Sequence, residues 1–429
     1  MVLNRTSFIP FIQLGTMLVV MGFVGVGAAC DPLGGPMVVE ALVPDDSARG
    51  GVALQDVTLE RVVDLRTGRG QDFDVRGDFK VNVGDFADLT GDFDDMVDRI
   101  RGNGGADVDP HMSFDGTRFV ADDYETLFYF SMTANFESAF AYAREAGDVS
   151  RATSSAPSQR AIVGLFASVV LSPLLPLPLL SSDNAAYAAP VDGWLALRSA
   201  FQDGVPFGMH RGVIAHEFGH RLFFHNVFSA VDGGFEVWQR DNTETELSAE
   251  QLRSQMLLKG IDEGLADVFA IAALSDKDAI NDAFAFAGDL FEPEAQRRDV
   301  EGEFGRAATY DALRTLSLDT NMLESCGLTR ADFAQQFNFY CVGTVLAAAL
   351  WEAADQDAGV MRTELEPTVI QALPGLGEAL VAGVAFDVDL FLESLVRVTP
   401  PGERREKLCA QFATRFESLV TAGKVPTCL

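Results

Sequence analysis

The chain has 429 residues, 48% hydrophobic and 22% charged, a balance that supports a large core and excludes a disordered or fibrous polypeptide. Acidic residues outnumber basic ones 63 to 32, and the net charge near −31 repels phosphate backbones and anionic lipid alike. No nucleic-acid partner is expected, and the acidity itself reads as a solvated surface.

A lone Arg5 precedes an apolar run from Phe8 to Val26 that closes on Gly27-Ala28-Ala29-Cys30, the pattern of an export signal over residues 1–29. Small residues directly before a cysteine resemble the bacterial lipoprotein processing site. That resemblance implies lipidation of Cys30 and a place in the bacterial cell envelope, with the membrane reached only through the N-terminal lipid. Gly27 stands where that family usually has Leu, and release as a soluble secreted protein is the alternative. Without Cys30 the chain keeps Cys326, Cys341, Cys409 and Cys428, an even set suited to two disulfides in an oxidising compartment. Proximity in sequence pairs Cys326 with Cys341 and Cys409 with Cys428, one of three connectivities. Residues 30–58 are rich in Gly, Pro, Asp and Ser and are expected to be a tether.

Short alternations between Val57 and Val120, such as Phe73-Asp74-Val75-Arg76 and Phe79-Lys80-Val81-Asn82-Val83, predict strands among Gly and Asp turns. The Asp-dense stretch Asp85 to Asp98 and the triplet Asp107-Val108-Asp109 offer oxygen donors for Ca2+ as a second cofactor. Neither has the spacing of a recognised calcium loop, and solvated turns are the ordinary reading. From Asp122 to Ala146, Leu127, Tyr129, Phe130, Phe136, Phe140 and Tyr142 recur at helical spacing and predict a partly buried helix with a core role for its aromatics. Residues 161–180 are almost wholly apolar, yet Pro173, Pro176 and Pro178 argue for a buried strand and an extended loop over a membrane-spanning helix. A long helix follows from about Gly208 to Phe228. Further helices are predicted over Ile261–Leu274, Phe333–Ala354, Thr368–Leu373, Asp387–Val398 and Pro401–Ala422. The fold class is therefore α+β, with a mixed lobe over 59–228 and a mainly helical lobe over 229–429.

Chemistry concentrates on His216-Glu217-Phe218-Gly219-His220. At about 100° per residue, His216 and His220 project from one helix face and can meet one ion, while Glu217 reaches a metal-activated water without entering the coordination sphere. His225 sits half a turn from His216 and reads as a capping or packing residue. Downstream, Asp262-Glu263-Gly264-Leu265-Ala266-Asp267 places Glu263 and Asp267 four apart on a second helix.

His-Glu-x-x-His followed by Glu-x-x-x-Asp resembles the thermolysin-like and fungalysin-like zinc peptidases, the gluzincins; Glu263-Gly264, Asp267 and Phe269-Ala270 are similar to the fungal Glu-Gly-x-x-Asp-x-Phe-Ala segment. The resemblance implies a two-lobed zincin-type fold and one catalytic Zn2+ held by His216, His220 and Glu263. It also implies Glu217 as general base, and Asp267 and Asp262 as acceptors of the ring N–H groups of His216 and His220. Protein or peptide is the implied substrate. Asn184-Ala185-Ala186-Tyr187 resembles the family's substrate-pairing edge strand, with Asn184 holding the peptide; a plain turn is the other reading. The family supplies a downstream His or Tyr to the oxyanion. No His follows His225, and Tyr340, three before Gly343, takes that place by resemblance; it reads equally as a structural tyrosine beside a disulfide, and Tyr310 is a second candidate. The segment from Val231 to Gln255 looks like an insertion beside the cleft. Two alternatives to an endopeptidase remain: an aminopeptidase, whose Gly-x-Met-x-Asn motif is absent from the chain, and a surface lipoprotein that binds without turnover. Sequence carries no reading of the oligomeric state.

Overall fold

Alternation decides the first ordered elements. Met37, Val39 and Ala41 are buried at every second position, the pattern of a half-buried strand. The structure is a computed structural model that describes residues 36–45, 51–77, 80–82, 105–155, 160–170, 185–189, 192–197, 207–243, 248–286, 298–315 and 339–429. In it β1 (Met37–Asp45) pairs antiparallel with β2 (Gly51–Leu59). The tether expected over 30–58 is corrected accordingly: its turn-forming residues flank an alternating apolar run that a free linker does not need.

β1 also meets β9 (Phe119–Ala121), which pairs with β8 (Met112–Phe114), completing a four-stranded sheet. A second, eight-stranded sheet has the order β11 (Ala185–Ala188), β12 (Gly193–Leu197), β10 (Ala161–Val170), β5 (Phe73–Gly77), β4 (Arg69–Gly70), β3 (Val62–Asp64). β6 (Lys80–Asn82) joins it on β10 and β7 (Ala106–Asp107) on β5. β10 runs parallel to both β5 and β12, and β11 is antiparallel to β12 at the sheet's edge. The strand expected at the start of 161–180 is β10; the proline-rich remainder lies outside the described residues.

Among the described residues the remaining elements are mainly helices: α1 (Tyr124–Glu145), α2 (Arg211–Phe224), α3 (Gly234–Thr243), α4 (Ala249–Leu274), α5 (Ala279–Phe286), α6 (Phe339–Ala353), α7 (Glu366–Val381), α8 (Val388–Val398) and α9 (Glu403–Arg415), with shorter helical turns besides. The architecture is α+β. One apolar cluster runs from Met37 to Val425 within the single unit Pro36–Leu429 and is continuous across 228/229, where a lobe boundary was expected. The predicted aromatics of α1 belong to this core. Phe136 meets Phe73 at 5.0 Å and Phe218 at 5.5 Å, and Phe218 stacks on Phe269 at 5.7 Å. Pairs of this kind contribute about 0.5–1.5 kcal/mol beyond their burial.

The segment that looked like an insertion is also helical. α4 starts at Ala249 rather than Ile261 because Ser248 and Gln251 form a capping box, each side chain bonding the other's backbone. Trp238 of α3 packs edge-on against Phe224 at 5.5 Å, so this segment leans on the end of α2. α7 continues through Pro374, where the sequence predicts a stop at Leu373; Ile370, Leu373, Leu376 and Leu380 keep one buried face on both sides of the proline, and packing overrides the break. Asp107 lies in β7 and pairs with Arg76, so it does not act as a free calcium donor, and the stretch Asp85–Asp98 lies outside the described residues. Cys409 and Cys428 form a disulfide with Cα atoms 5.2 Å apart, as proximity predicted. Cys341 is disulfide-bonded as well, and Cys326, with which proximity pairs it, lies outside the described residues. No described helix is long and apolar enough to cross a membrane.

Two glycines set how closely the central helices pack. A Cβ on Gly219 would stand 2.6 Å from Ala266 Cα, and one on Gly264 would stand 2.4 Å from the Gly343 carbonyl oxygen. α4 is thereby wedged at backbone distance between α2 and α6.

A buried carboxyl with no hydrogen-bonding partner for Oε2, Glu366, opens α7, and burial raises its pKa well above the ordinary value. Its neutral form contributes stability that is complete below the unfolded value of 4.5 and is lost as pH rises through the higher folded value. Glu366→Gln removes that titration. The gap between variant and parent is expected to be constant below about pH 4 and to shift in the variant's favour as pH rises; calorimetry showing a constant gap at every pH would refute the assignment.

Candidate metal centre

α2 is anchored at its start by His210, whose Nδ1 accepts the Gly212 N–H at 3.2 Å. Burial lowers the His210 pKa to about 4, so the ring is neutral and free to accept. One turn further, the i, i+4 spacing brings His216 and His220 side by side, their Nε2 atoms 3.1 Å apart. Glu263 comes from α4, and its Oε2 stands 3.3 Å from His216 Nε2 and 3.7 Å from His220 Nε2. Among the described residues this is the one group of three donors close enough to hold a metal ion.

The donors fit a zinc-sized ion. A triangle with those three sides has a circumscribed radius of about 2.0 Å, and zinc binds His nitrogen and carboxylate oxygen at about 2.0–2.2 Å. His216, His220 and Glu263 would be the residues that hold such an ion. The other ring nitrogens face carboxylates: His216 Nδ1 stands 2.9 Å from Asp267 Oδ1, and His220 Nδ1 2.8 Å from Asp262 Oδ1. A proton on each Nδ1 would leave both Nε2 lone pairs available to a cation.

Charge supports the same fit. Burial alone would lower the proton affinity of His220, but Asp262, Glu263 and Glu217 outweigh it and raise the pKa to about 10. Burial would raise Glu263, yet His220, His216 and Arg298 hold it at about 2. The cluster is rich in negative charge and donor atoms of the kinds zinc takes.

Glu217 projects from α2 beside the ligands. Its Oε2 accepts the Tyr187 backbone N–H of β11 at 2.7 Å, and burial raises its pKa against the opposing pull of the two histidines. One carboxylate oxygen is thus fixed by the edge strand.

Arg298 was not anticipated. Its Nη2 meets Glu263 Oε2 and Asp267 Oδ1, each at 2.9 Å, its Nε meets Asp267 Oδ2 at 3.1 Å, and Nη2 lies 3.4 Å from His216 Nε2. It belongs to no motif and lies 35 residues beyond Glu263, so only the fold brings it in. Tyr340, half-buried, is brought beside it, with the guanidinium carbon 5.3 Å from the ring centre. Tyr310 is placed elsewhere: its hydroxyl donates to Asp387 at 3.0 Å and its ring packs on Phe416. The second oxyanion candidate therefore ties C-terminal helices together. His225 is wholly buried with Nε2 2.7 Å from Asp192 Oδ1, a packing role as the spacing predicted. Asn184 and Cys30 lie outside the described residues. No protein-family model matches the chain, and no curated protein matches it significantly.

Proposed function

We propose that this protein is a zinc-dependent endopeptidase of gluzincin type with a two-lobed zincin-type fold, exported and held at the bacterial cell envelope through a lipid on Cys30. The observation that carries the reading is the convergence of His216, His220 and Glu263 on one zinc-sized point with Glu217 beside it. A bound zinc ion supplies Lewis acidity, which acidifies water and polarises a peptide carbonyl. Glu217 takes the proton of the attacking water and delivers it to the leaving amine, a task suited to a carboxylate whose proton affinity burial has raised. Asp267 and Asp262 hold the two imidazoles in the ligand tautomer. Arg298 keeps Glu263 ionised and bonds Asp267. Tyr340, beside Arg298, is the proposed hydrogen-bond donor to the oxyanion. β11, an edge strand that Asn184 precedes in sequence, is the proposed surface for an extended peptide backbone.

The test uses the chain beginning after Cys30, stripped of metal by a chelator and reloaded with zinc, against a broad peptide library. Cleavage at internal bonds is expected to vanish on stripping and to return with one equivalent of zinc. Trimming from the N-terminus alone would indicate an aminopeptidase. Stoichiometric zinc with no cleavage would indicate a binding protein.

A further inference from the structure

The buried group that the proposed mechanism leaves unused is Asp192, at the end of the turn between β11 and β12. Its backbone is in the left-handed region, with φ 47°, and its side chain is fully enclosed. That carboxylate gathers contacts from two directions. From the strand comes the Tyr187 hydroxyl, 3.3 Å from Oδ1. From α2 comes Arg221, with Nε 3.0 Å from Oδ1 and Nη2 3.4 Å from Oδ2, and from the helical turn that continues it comes His225, with Nε2 2.7 Å from Oδ1. Arg151 adds a longer ion pair at 3.7 Å. Arg221 and His225 are four apart and follow the metal-site residues on the same helical run.

The other end of Tyr187 touches the chemistry, since its N–H is the donor to Glu217 at 2.7 Å. Tyr187 is therefore held twice, by its backbone on Glu217 and by its hydroxyl on Asp192, while Asp192 is itself fastened to α2. An edge strand has one partner strand and gains no second ladder to fix its distance from the helix. The carboxylate supplies that missing constraint. A surface ion pair would contribute little here, but enclosed, multiply bonded charges are geometrically exacting.

We propose that Asp192 is a positioning residue for the active site: through Arg221 and His225 it locks β11 against α2, setting the Tyr187 N–H on Glu217 and the height of the strand edge along which a peptide lies. The assignment rests on the peptidase reading for its kinetic consequence but has a structural readout of its own. In Asp192→Asn, amide hydrogen exchange at residues 185–188 is expected to quicken at least about tenfold. With zinc content unchanged, kcat should fall by on the order of a hundredfold, the scale of a misplaced catalytic group, with KM changing less.

Because Asp192→Asn leaves Arg221 enclosed without its anion and can compromise folding, Tyr187→Phe provides the second variant. It removes only the hydroxyl link, and a smaller shift in both readouts is expected, about threefold to tenfold in kcat. Asp387→Asn, which loosens the remote tie to Tyr310, is the control for general destabilisation and should leave exchange at 185–188 as it is. Unchanged exchange in β11, or kcat within twofold of an active parent in both variants, overturns the proposal. If the zinc-loaded parent cleaves nothing while Asp192→Asn quickens exchange at 185–188, the peptidase reading fails and the locking of the strand stands.

Discussion

Glu217→Gln is expected to lower kcat/KM on a fluorogenic peptide by at least about a thousandfold while zinc stays at one per chain. A positioned general base contributes about 10²–10⁴ in rate, and three decades correspond to about 4 kcal/mol of lost transition-state stabilisation. The amide replaces the carboxylate atom for atom, so its oxygen can still accept the Tyr187 N–H that Glu217 Oε2 accepts at 2.7 Å. What it cannot do is take a proton. Neither His216, His220 nor Glu263 is altered, and the carboxylates on the two Nδ1 atoms remain. Metal analysis by mass spectrometry and kinetics on one preparation therefore separate the two roles. Zinc lost together with activity would move Glu217 into the metal-holding set, and activity within tenfold of the parent would remove it from the mechanism.

The parts of this site that sequence exposes are those whose geometry is local. His216 and His220 share a face because the helix repeats every 3.6 residues, and Glu217 follows from its place between them. Glu263 and Asp267 are legible by the same period on a second helix; that the two helices meet depends on Gly219, whose missing Cβ admits Ala266, while Gly264 admits Gly343 of α6 on the other side of α4. Arg298 carries no local signal at all, since its guanidinium arrives from a segment 35 residues past Glu263. The Tyr187 donor is a backbone N–H, a group every residue but proline owns, and only its place on the sheet edge gives it a task. β1 and β2 were obscured for a different reason: their flanks are rich in turn residues, and composition outweighed the alternation of Met37, Val39 and Ala41. Packing likewise prevailed over a local stop signal at Pro374.

Glu263→Gln carries the second large effect, on metal rather than rate. Glu263 is the anionic member of the proposed ligand set, held ionised at about 2 by His220, His216 and Arg298 against its burial. A carboxamide keeps the shape but offers a neutral, weaker donor, and it leaves the Arg298 guanidinium, 2.9 Å away in the parent, without one of its two anions. The charge that opposes zinc then rises as the charge that attracts it falls. Zinc affinity, read by competition with a chromogenic chelator, is expected to drop by at least about a thousandfold, against the roughly 10–100-fold expected for Asp267→Asn, which acts only through the orientation of His216 and through Arg298. The order of these two losses is the informative quantity. If Asp267→Asn weakened zinc binding as much as Glu263→Gln, Glu263 would be a partner of Arg298 rather than a ligand, and the metal would have to be held by the two histidines and a donor from elsewhere.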